Sequence, residues 1–440
     1  MYSLREIWKI SYPIIAGLIA QNVMVVIDTA FLGRVSEVTL GAAAIGGVFY
    51  LCMVMLATGF SVGAQIMIGR RNGEANYASI GQVFDHTQIF LALLALVVWL
   101  LLNFTAPAFL RHFISSPAIL AESLIFIEYR KYGLLFGFLV LGYNSLYVGN
   151  TKTKVLTLST VIMAIVNIVM DYLLIFGNFG FPQMGIAGAA LATNIAELVT
   201  FFFYLIWSLS RKDNVFYKLF HLRKPDFVLL ESLLKLAVPV MFQYFFSFAA
   251  WFVFFLIIEQ IGETALAASN ITRSVYMVMM IPVWGLSASV NTLVSNTIGR
   301  GQHHLVMPLI YRVLFIGAII SLVLVQLIIF LPNPIASFYT DSPHLVAATL
   351  PLLRVISVAL IAFSFGMILF NGLSGTGKTM LALKIEIASI TLYLLTTLIL
   401  ALYFEAPARI VWMVEIIYFS VMGLFAWIAL KKGNWRHIEI

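Results

Sequence analysis

Twelve long apolar stretches run through this 440-residue sequence. A helix that crosses a bilayer needs about 20 predominantly apolar residues. Spans are therefore expected at 7–31, 43–68, 88–110, 123–148, 155–177, 186–209, 233–258, 270–298, 308–331, 346–372, 380–403 and 409–430. The first follows a short polar start, Met1 to Glu6, and no small-residue cleavage site follows a brief core, so it reads as a retained helix rather than a signal peptide. Only 10% of the residues are charged, against roughly 25% in a soluble domain, which leaves too few to cover a water-soluble surface of this length. The high apolar content excludes disorder, and a single cysteine, Cys52, excludes a disulfide framework or a cysteine-based metal site. The expected fold class is an all-α polytopic membrane protein.

The net charge of +7 is read by position, because loop lysines and arginines report topology rather than nucleic-acid binding. With the N-terminus inside, 19 of the 26 basic residues fall on the cytoplasmic side, among them Arg70, Arg71, Lys152, Lys154, Arg211, Lys212, Arg223, Lys224, Lys431 and Lys432. Seven fall on the other side: Arg34, Arg111, Arg130, Lys131, Arg273, Arg354 and Arg409. The bias places both termini in the cytoplasm of an integral plasma-membrane protein and supports an even number of spans.

The longest polar connection, 210–232, divides the chain into a six-span lobe at 1–209 and another at 233–440. Three pairs of strings align at one offset of 226 residues: WKISYPI (8–14) with LKLAVPV (234–240), SEVTLGAAAI (36–45) with GETALAASNI (262–271), and GNTKT (149–153) with GTGKT (375–379). IGR at 68–70 and 298–300 aligns at 230, which implies a four-residue insertion before it and a compensating loss after it. Six spans per copy give the copies the same orientation. Parallel repeats of this kind place substrate sites at the interface between halves, near the midplane, as secondary transporters do.

Residues 372–379, GLSGTGKT, match the pattern of a nucleotide-binding P-loop. That chemistry needs a strand before the loop and an α/β sheet around it, whereas this segment connects two spans. It is expected to be a tight cytoplasmic turn with Lys378 as an anchor, and no nucleotide partner is expected.

An ionisable group inside a span costs about 2.5–3.5 kcal/mol on insertion scales and marks a functional site by default. The spans hold Asp28, Asp171, Glu197 and Glu415, with Glu386 near the start of the eleventh. Glu128, beside Arg130 and Lys131, reads as interfacial. Asn167 and Asp171 share a helix face at i, i+4, as do Thr193 and Glu197, while Gln21 and Asp28 share one at i, i+7. Two carboxylates, an amide oxygen and a hydroxyl form a hard-oxygen set suited to Na⁺ or to a shared proton. At the 226 offset Asp28, Asn167 and Asp171 stand opposite Phe254, Tyr393 and Thr397, so ion coupling is expected in the first half alone.

These residues carry a family resemblance over essentially the full length. VVIDTAFLGR (25–34), GRRNG (69–73), GNTKTK (149–154), NIVMDYLLIFG (167–177) and GIAGAALATNIAE (185–197), in this order and with the six-plus-six repeat, resemble the multidrug and toxic compound extrusion (MATE) transporters. The resemblance implies a V-shaped molecule that exchanges a drug-like substrate for Na⁺ or H⁺. It implies coupling roles for Asp28, Asn167, Asp171 and Thr193, the same four that would ligate Na⁺, and a helix-bending role for Pro13, since proline removes a backbone donor. The NorM-type branch carries further acids in its seventh and tenth helices, where this chain reads FQYFFSFAAWF (242–252) and FNGLS (370–374). The sequence is therefore more similar to the DinF-type branch.

Candidates for a plastic substrate cavity are Gln21, Asn22, Met24, Tyr143, Asn144, Asn194, Gln243 and Tyr244, because aromatic and methionine surfaces repack around different shapes and favour cations. The expected partners are the bilayer, small organic molecules and the coupling ion, for a monomer without an organic cofactor. A flippase for lipid-linked saccharides shares the six-plus-six layout, but it would need several cavity arginines or lysines for pyrophosphate. An enzyme is not expected, since the histidines, His437 included, are loop-placed and none is paired with Cys or Glu at metal-ligand spacing.

Overall fold

The computed structural model describes residues 2–114, 116–210, 213–221, 226–433 and 435–436. Arg211, Lys212, Arg223 and Lys224 of the expected cytoplasmic basic set, and His437, lie outside the described residues. The described residues form helices and no strands. In chain order these are α1 (Leu4–Val35), α2 (Glu37–Gly73), α3 (Tyr77–Phe113), α4 (Pro117–Arg130), α5 (Leu134–Gly149), α6 (Lys154–Leu174), α7 (Ile186–Ser210), α8 (Asp213–Tyr217) and α9 (Phe227–Glu259). They continue with α10 (Glu263–Gly299), α11 (Val306–Phe330), α12 (Pro332–Ser337), α13 (Pro343–Gly375), α14 (Thr379–Leu398), α15 (Ala408–Val411) and α16 (Val414–Lys432). Eleven helical segments among the described residues are each long and apolar enough to cross a bilayer. The expected fourth span is the exception: a 3₁₀ turn at Lys131–Gly133 breaks it into α4 and α5.

The duplication is visible in the helix lengths. α2 and α10 are each 37 residues long, starting at Glu37 and Glu263 and ending at Gly73 and Gly299. Both ends keep the 226 offset, so there is no net insertion, and the two IGR strings sit at different places in the two helices. Small residues bring helix backbones together in a membrane, where no hydrophobic force acts between helices. The same crossings recur in the two halves. A Cβ on Gly149 would stand 2.7 Å from Ile68 and 3.1 Å from the Gln65 carbonyl oxygen, and one on Gly375 would stand 2.3 Å from the Asn291 carbonyl oxygen. Gln65 and Asn291 are themselves 226 residues apart.

Internal contacts divide the chain into two compact units, Ala16–Met241 and Met1–Ile15 with Phe242–Ile440. The division falls inside α1 and inside α9, two residues after Pro13 and Pro239. Each unit therefore contains the start of the other half's first helix. Within the first unit, Gly59 of α2 receives Met241 of α9; within the second, Gly285 of α10 receives Ile15 of α1. A Cβ on either glycine would fall 2.4 Å from its neighbour. α1 and α9 run as continuous helices through their prolines.

The P-loop-like string is helical over its first half. Gly372 and Gly375 belong to the last turns of α13, where they admit Ile310 of α11 and Asn291 of α10. Only Thr376 to Lys378 turn, with Gly377 at a φ of +93° that other residues rarely adopt.

Overpacking a closed helix crossing costs about 1–3 kcal/mol or more. Gly149→Leu and Gly375→Leu are each expected to lower the thermal midpoint of the detergent-purified protein by several degrees. Gly47→Ala, where a Cβ meets nothing within 4 Å, leaves the midpoint unchanged in the same scan.

Candidate cation-binding site

Four residues from three helices of the Ala16–Met241 unit meet: Asp28 of α1, Asn167 and Asp171 of α6, and Thr193 of α7. The pairing of α6 with α7 follows from the short connection between them, in which Gly177 adopts a left-handed φ of +72°. Asn167 and Asp171 are fully buried, while Asp28 and Thr193 are partly exposed. Asn167 Nδ2 donates to Thr193 Oγ1 at 3.2 Å, and Thr193 Oγ1 donates to the Ala189 carbonyl at 3.0 Å. The carboxyl groups of Asp28 and Asp171 lie within electrostatic reach of each other.

The oxygens carry the chemistry. Asp28 Oδ1, Asn167 Oδ1 and both carboxyl oxygens of Asp171 are buried without a hydrogen-bond partner. Buried polar atoms are nearly always satisfied, and an unpaired carboxylate in a low-dielectric interior is strongly unfavourable. Two ionised carboxylates also repel at this range. Either a shared proton or a small cation removes both penalties, and the donor set is all oxygen, as a hard cation requires.

One neighbour of this site was not legible as such in the sequence. Arg130, at the end of α4, is buried rather than interfacial. Its guanidinium donates to Glu197 Oε1 at 2.5 Å, to Glu197 Oε2 at 2.9 Å and to Asn194 Oδ1 at 2.7 Å. It lies 4.4 Å from the Tyr50 ring centroid and within electrostatic reach of Asp28. The broken fourth span makes room for it: a Cβ on Gly133 would stand 2.1 Å from Asn194 Oδ1 and 2.7 Å from Glu197 Oε2. The available signal was the pair Gly133 and Gly137 just after two basic residues inside an apolar stretch. Lys131 binds Asn103 Oδ1 at 2.7 Å and Glu128 Oε2 at 2.6 Å.

Within the Ala16–Met241 unit, the residues expected to line a substrate cavity have different surroundings. On α1, Gln21 is exposed, Asn22 is half-buried and donates to the Leu18 carbonyl at 3.4 Å, and Met24 is buried. Tyr143 is packed in the core of its unit, its ring stacked on Tyr204 at 5.1 Å, and Tyr204 donates to Asn144 Oδ1 at 2.7 Å. Asn194 serves the Arg130 cluster and donates to the Tyr129 carbonyl at 2.7 Å. Gln243 and Tyr244 belong to the other unit, where Gln243 is buried and donates to the Thr379 carbonyl at 3.0 Å.

Removing one member of a buried ion pair costs about 3–5 kcal/mol, because the survivor is left uncompensated, whereas replacing both with apolar residues is often neutral. Arg130→Met is therefore expected to destabilise the protein more than the double variant Arg130→Met/Glu197→Leu, read as thermal midpoints of the two purified proteins.

Comparison with known proteins agrees with the duplication. The MatE family profile matches twice, over residues 13–173 and 239–399, again 226 residues apart. The probable multidrug resistance protein NorM of Thermotoga maritima is 26% identical over 448 residues, covering 98% of this chain and 93% of that protein. The Agrobacterium fabrum protein of the same name is 26% identical over 295 residues, covering 66% of this chain and 62% of that protein. Among solved structures, an outward-facing multidrug resistance MATE family transporter of the MOP superfamily superposes with a TM-score of 0.91 at 19% identity, covering 98% of this chain and 96% of that one. A MATE crystal structure in the straight conformation superposes at 0.89 and 21% identity, covering 98% and 97%. The chain belongs to the MatE family, the multidrug and toxic compound extrusion transporters whose motifs it carries.

Proposed function

We propose that this protein is a secondary active efflux antiporter that exports drug-like, cationic or amphipathic organic molecules in exchange for Na⁺ or H⁺. The observation that carries this reading is the set of four unpartnered buried oxygens on α1 and α6 beside the Thr193 hydroxyl. Relatives named multidrug resistance proteins over nearly the full length support the substrate class. The ion binds between Asp28 and Asp171, with Asn167 Oδ1 and Thr193 Oγ1 completing the oxygen set. Binding removes the repulsion between the two carboxylates, so α1 and α6 prefer different relative positions in the loaded and empty states. Pro13 gives α1 a point at which its backbone is not fully cross-bonded, and the helix adjusts there. Alternating access follows if the ion and the organic molecule favour opposite states. The ion site lies in the unit of the first half, as in the DinF-type branch.

The saccharide-flippase alternative is weakened by Arg130, the buried arginine closest to the site. Both of its terminal nitrogens are engaged by Glu197 and Asn194, which leaves it unsuited to a pyrophosphate. We infer a transporter of the plasma membrane with both termini in the cytoplasm, from the bias of its basic residues, and propose that it works as a single chain.

Three measurements test this reading. In proteoliposomes, Asp28→Asn and Asp171→Asn are each expected to abolish efflux of a fluorescent organic cation driven by an imposed ion gradient, and normal coupling in both variants sinks the proposal. Parallel assays under a Na⁺ gradient at uniform pH, and under a pH gradient without Na⁺, identify the ion by which one drives efflux. In a chain with Cys52 replaced by Ala, Lys378→Cys is expected to react with a membrane-impermeant maleimide only from the cytoplasmic side and Gly180→Cys only from the other. The reverse pattern overturns the orientation.

A further inference from the structure

Two more buried carboxyls lie in the unit of Met1–Ile15 and Phe242–Ile440. Glu386 of α14 and Glu415 of α16 are each 2% exposed. Glu386 Oε1 accepts from Tyr418 Oη at 2.6 Å and is in short contact with Ser247 Oγ of α9. Glu386 Oε2 is buried with no hydrogen-bond partner. Glu415 Oε1 accepts from Tyr393 Oη at 2.9 Å. Tyr276 of α10, 1% exposed and with an unpartnered hydroxyl, lies within electrostatic reach of Glu415. The rings of Tyr393 and Tyr418 are 5.2 Å apart, which joins the two carboxyls into one cluster.

Charge and proton bookkeeping separate this cluster from the Arg130–Glu197 pair. The titratable groups facing the two glutamates are Tyr276, Tyr393 and Tyr418, and the structure gives neither glutamate a basic partner among the described residues. On the elements packed around them, Arg273 lies over Trp251 and Phe255, while Arg354, Lys384, Arg409 and the α16 end, Lys431 and Lys432, are exposed. Ser247 Oγ is the donor in both of its contacts, to the Gln243 carbonyl at 2.7 Å and to Glu386 Oε1, and its one hydroxyl hydrogen is shared between them. Hydroxyls can orient a neutral acid, but they do not cancel a buried charge.

The repeat gives the cluster a place. In the first half the fifth and sixth spans meet through Asn167 and Thr193; in the second half the corresponding helices meet through Tyr393 and Glu415. Tyr393 stands opposite Asn167 at the 226 offset, and Phe254, opposite Asp28, packs its ring 5.6 Å from Tyr393. The duplicated crossing has kept a carboxyl, supplied from the other helix.

We propose that Glu386 and Glu415, bridged by Tyr393 and Tyr418, form a proton-binding site separate from Asp28 and Asp171, located in the unit built mainly from the second half. Each carboxylate takes H⁺ from hydronium, leaving water, and gives it back on ionisation, with no change of oxidation state. This proposal does not rest on the efflux reading, because the purified protein binds these protons whether or not it transports.

Infrared difference spectroscopy of the purified protein in Na⁺-free liposomes, titrated from acid to alkaline pH, tests it. Two neutral-carboxyl bands, beside any from the Asp28–Asp171 pair, are expected to disappear at alkaline pH. One is missing in Glu386→Gln and the other in Glu415→Gln, and both persist in Asp28→Asn/Asp171→Asn. Tyr393→Phe, a nearly isosteric change, is expected to shift the frequency of the Glu415 band alone. The proposal is overturned if neither Gln variant loses a band, if the bands persist unchanged across the titration, or if Na⁺ at fixed pH abolishes them and so marks a metal-cation site. Unchanged carboxyl bands in a well-folded Tyr393→Phe protein also overturn it.

Discussion

A charge removed from water must be compensated where it lies, and each buried acid of this protein meets that constraint differently. Burial of an isolated carboxylate is so unfavourable that it pairs, takes up a proton or holds a cation. Glu197 pairs with Arg130 through both carboxyl oxygens. Glu386 and Glu415 are met by hydroxyls alone. Asp28 and Asp171 are met by each other, and as two ionised carboxylates they would repel. The distinction separates a closed ion pair from a pair of acids that only a proton or a small cation would compensate.

The scaffold that holds these groups is set by close backbone approach rather than by apolar burial, since lipid is as apolar as a leucine side chain. Glycines recur at corresponding crossings, Gly149 with Gly375 and Gly59 with Gly285. The same need explains the broken fourth span. Gly133 and Gly137 leave space that Glu197, Asn194 and the Arg130 guanidinium fill, and the helix gives way to a 3₁₀ turn beside them. No such break occurs in α13, the corresponding helix of the second half.

Helix existence, span number and the duplication were all legible in the chain, because apolar length and fixed-offset similarity are local properties that need no partner. Asp28, Asn167 and Asp171 were legible for a related reason: an acid inside an apolar stretch stands out whatever it touches. Arg130 was not, since a basic residue amid apolar sequence reads equally as a boundary anchor or as half of a buried pair, and its partner lies 67 positions away. The IGR strings were less informative. Three identical residues suggested an insertion with a compensating loss, and two 37-residue helices with a common offset show no net insertion. Tyr143 and Asn194 look like cavity residues by type, yet one is stacked in its unit's core and the other is committed to Arg130.

The sequence by itself determined that this chain is a helical membrane protein built from two copies of one unit, and it showed which acids lie inside apolar stretches. Those properties follow from hydrophobic length, charge scarcity and repetition, which are written along one dimension. Only the tertiary structure decided which acid faces which group. It paired Glu197 with Arg130, left four oxygens of Asp28, Asn167 and Asp171 without a hydrogen-bond partner, and tied Glu386 and Glu415 together through tyrosines. It also divided the two compact units after Ile15 and Met241 rather than at the polar connection. Charge compensation and helix crossing depend on distances between residues remote in sequence, and folding alone fixes those distances.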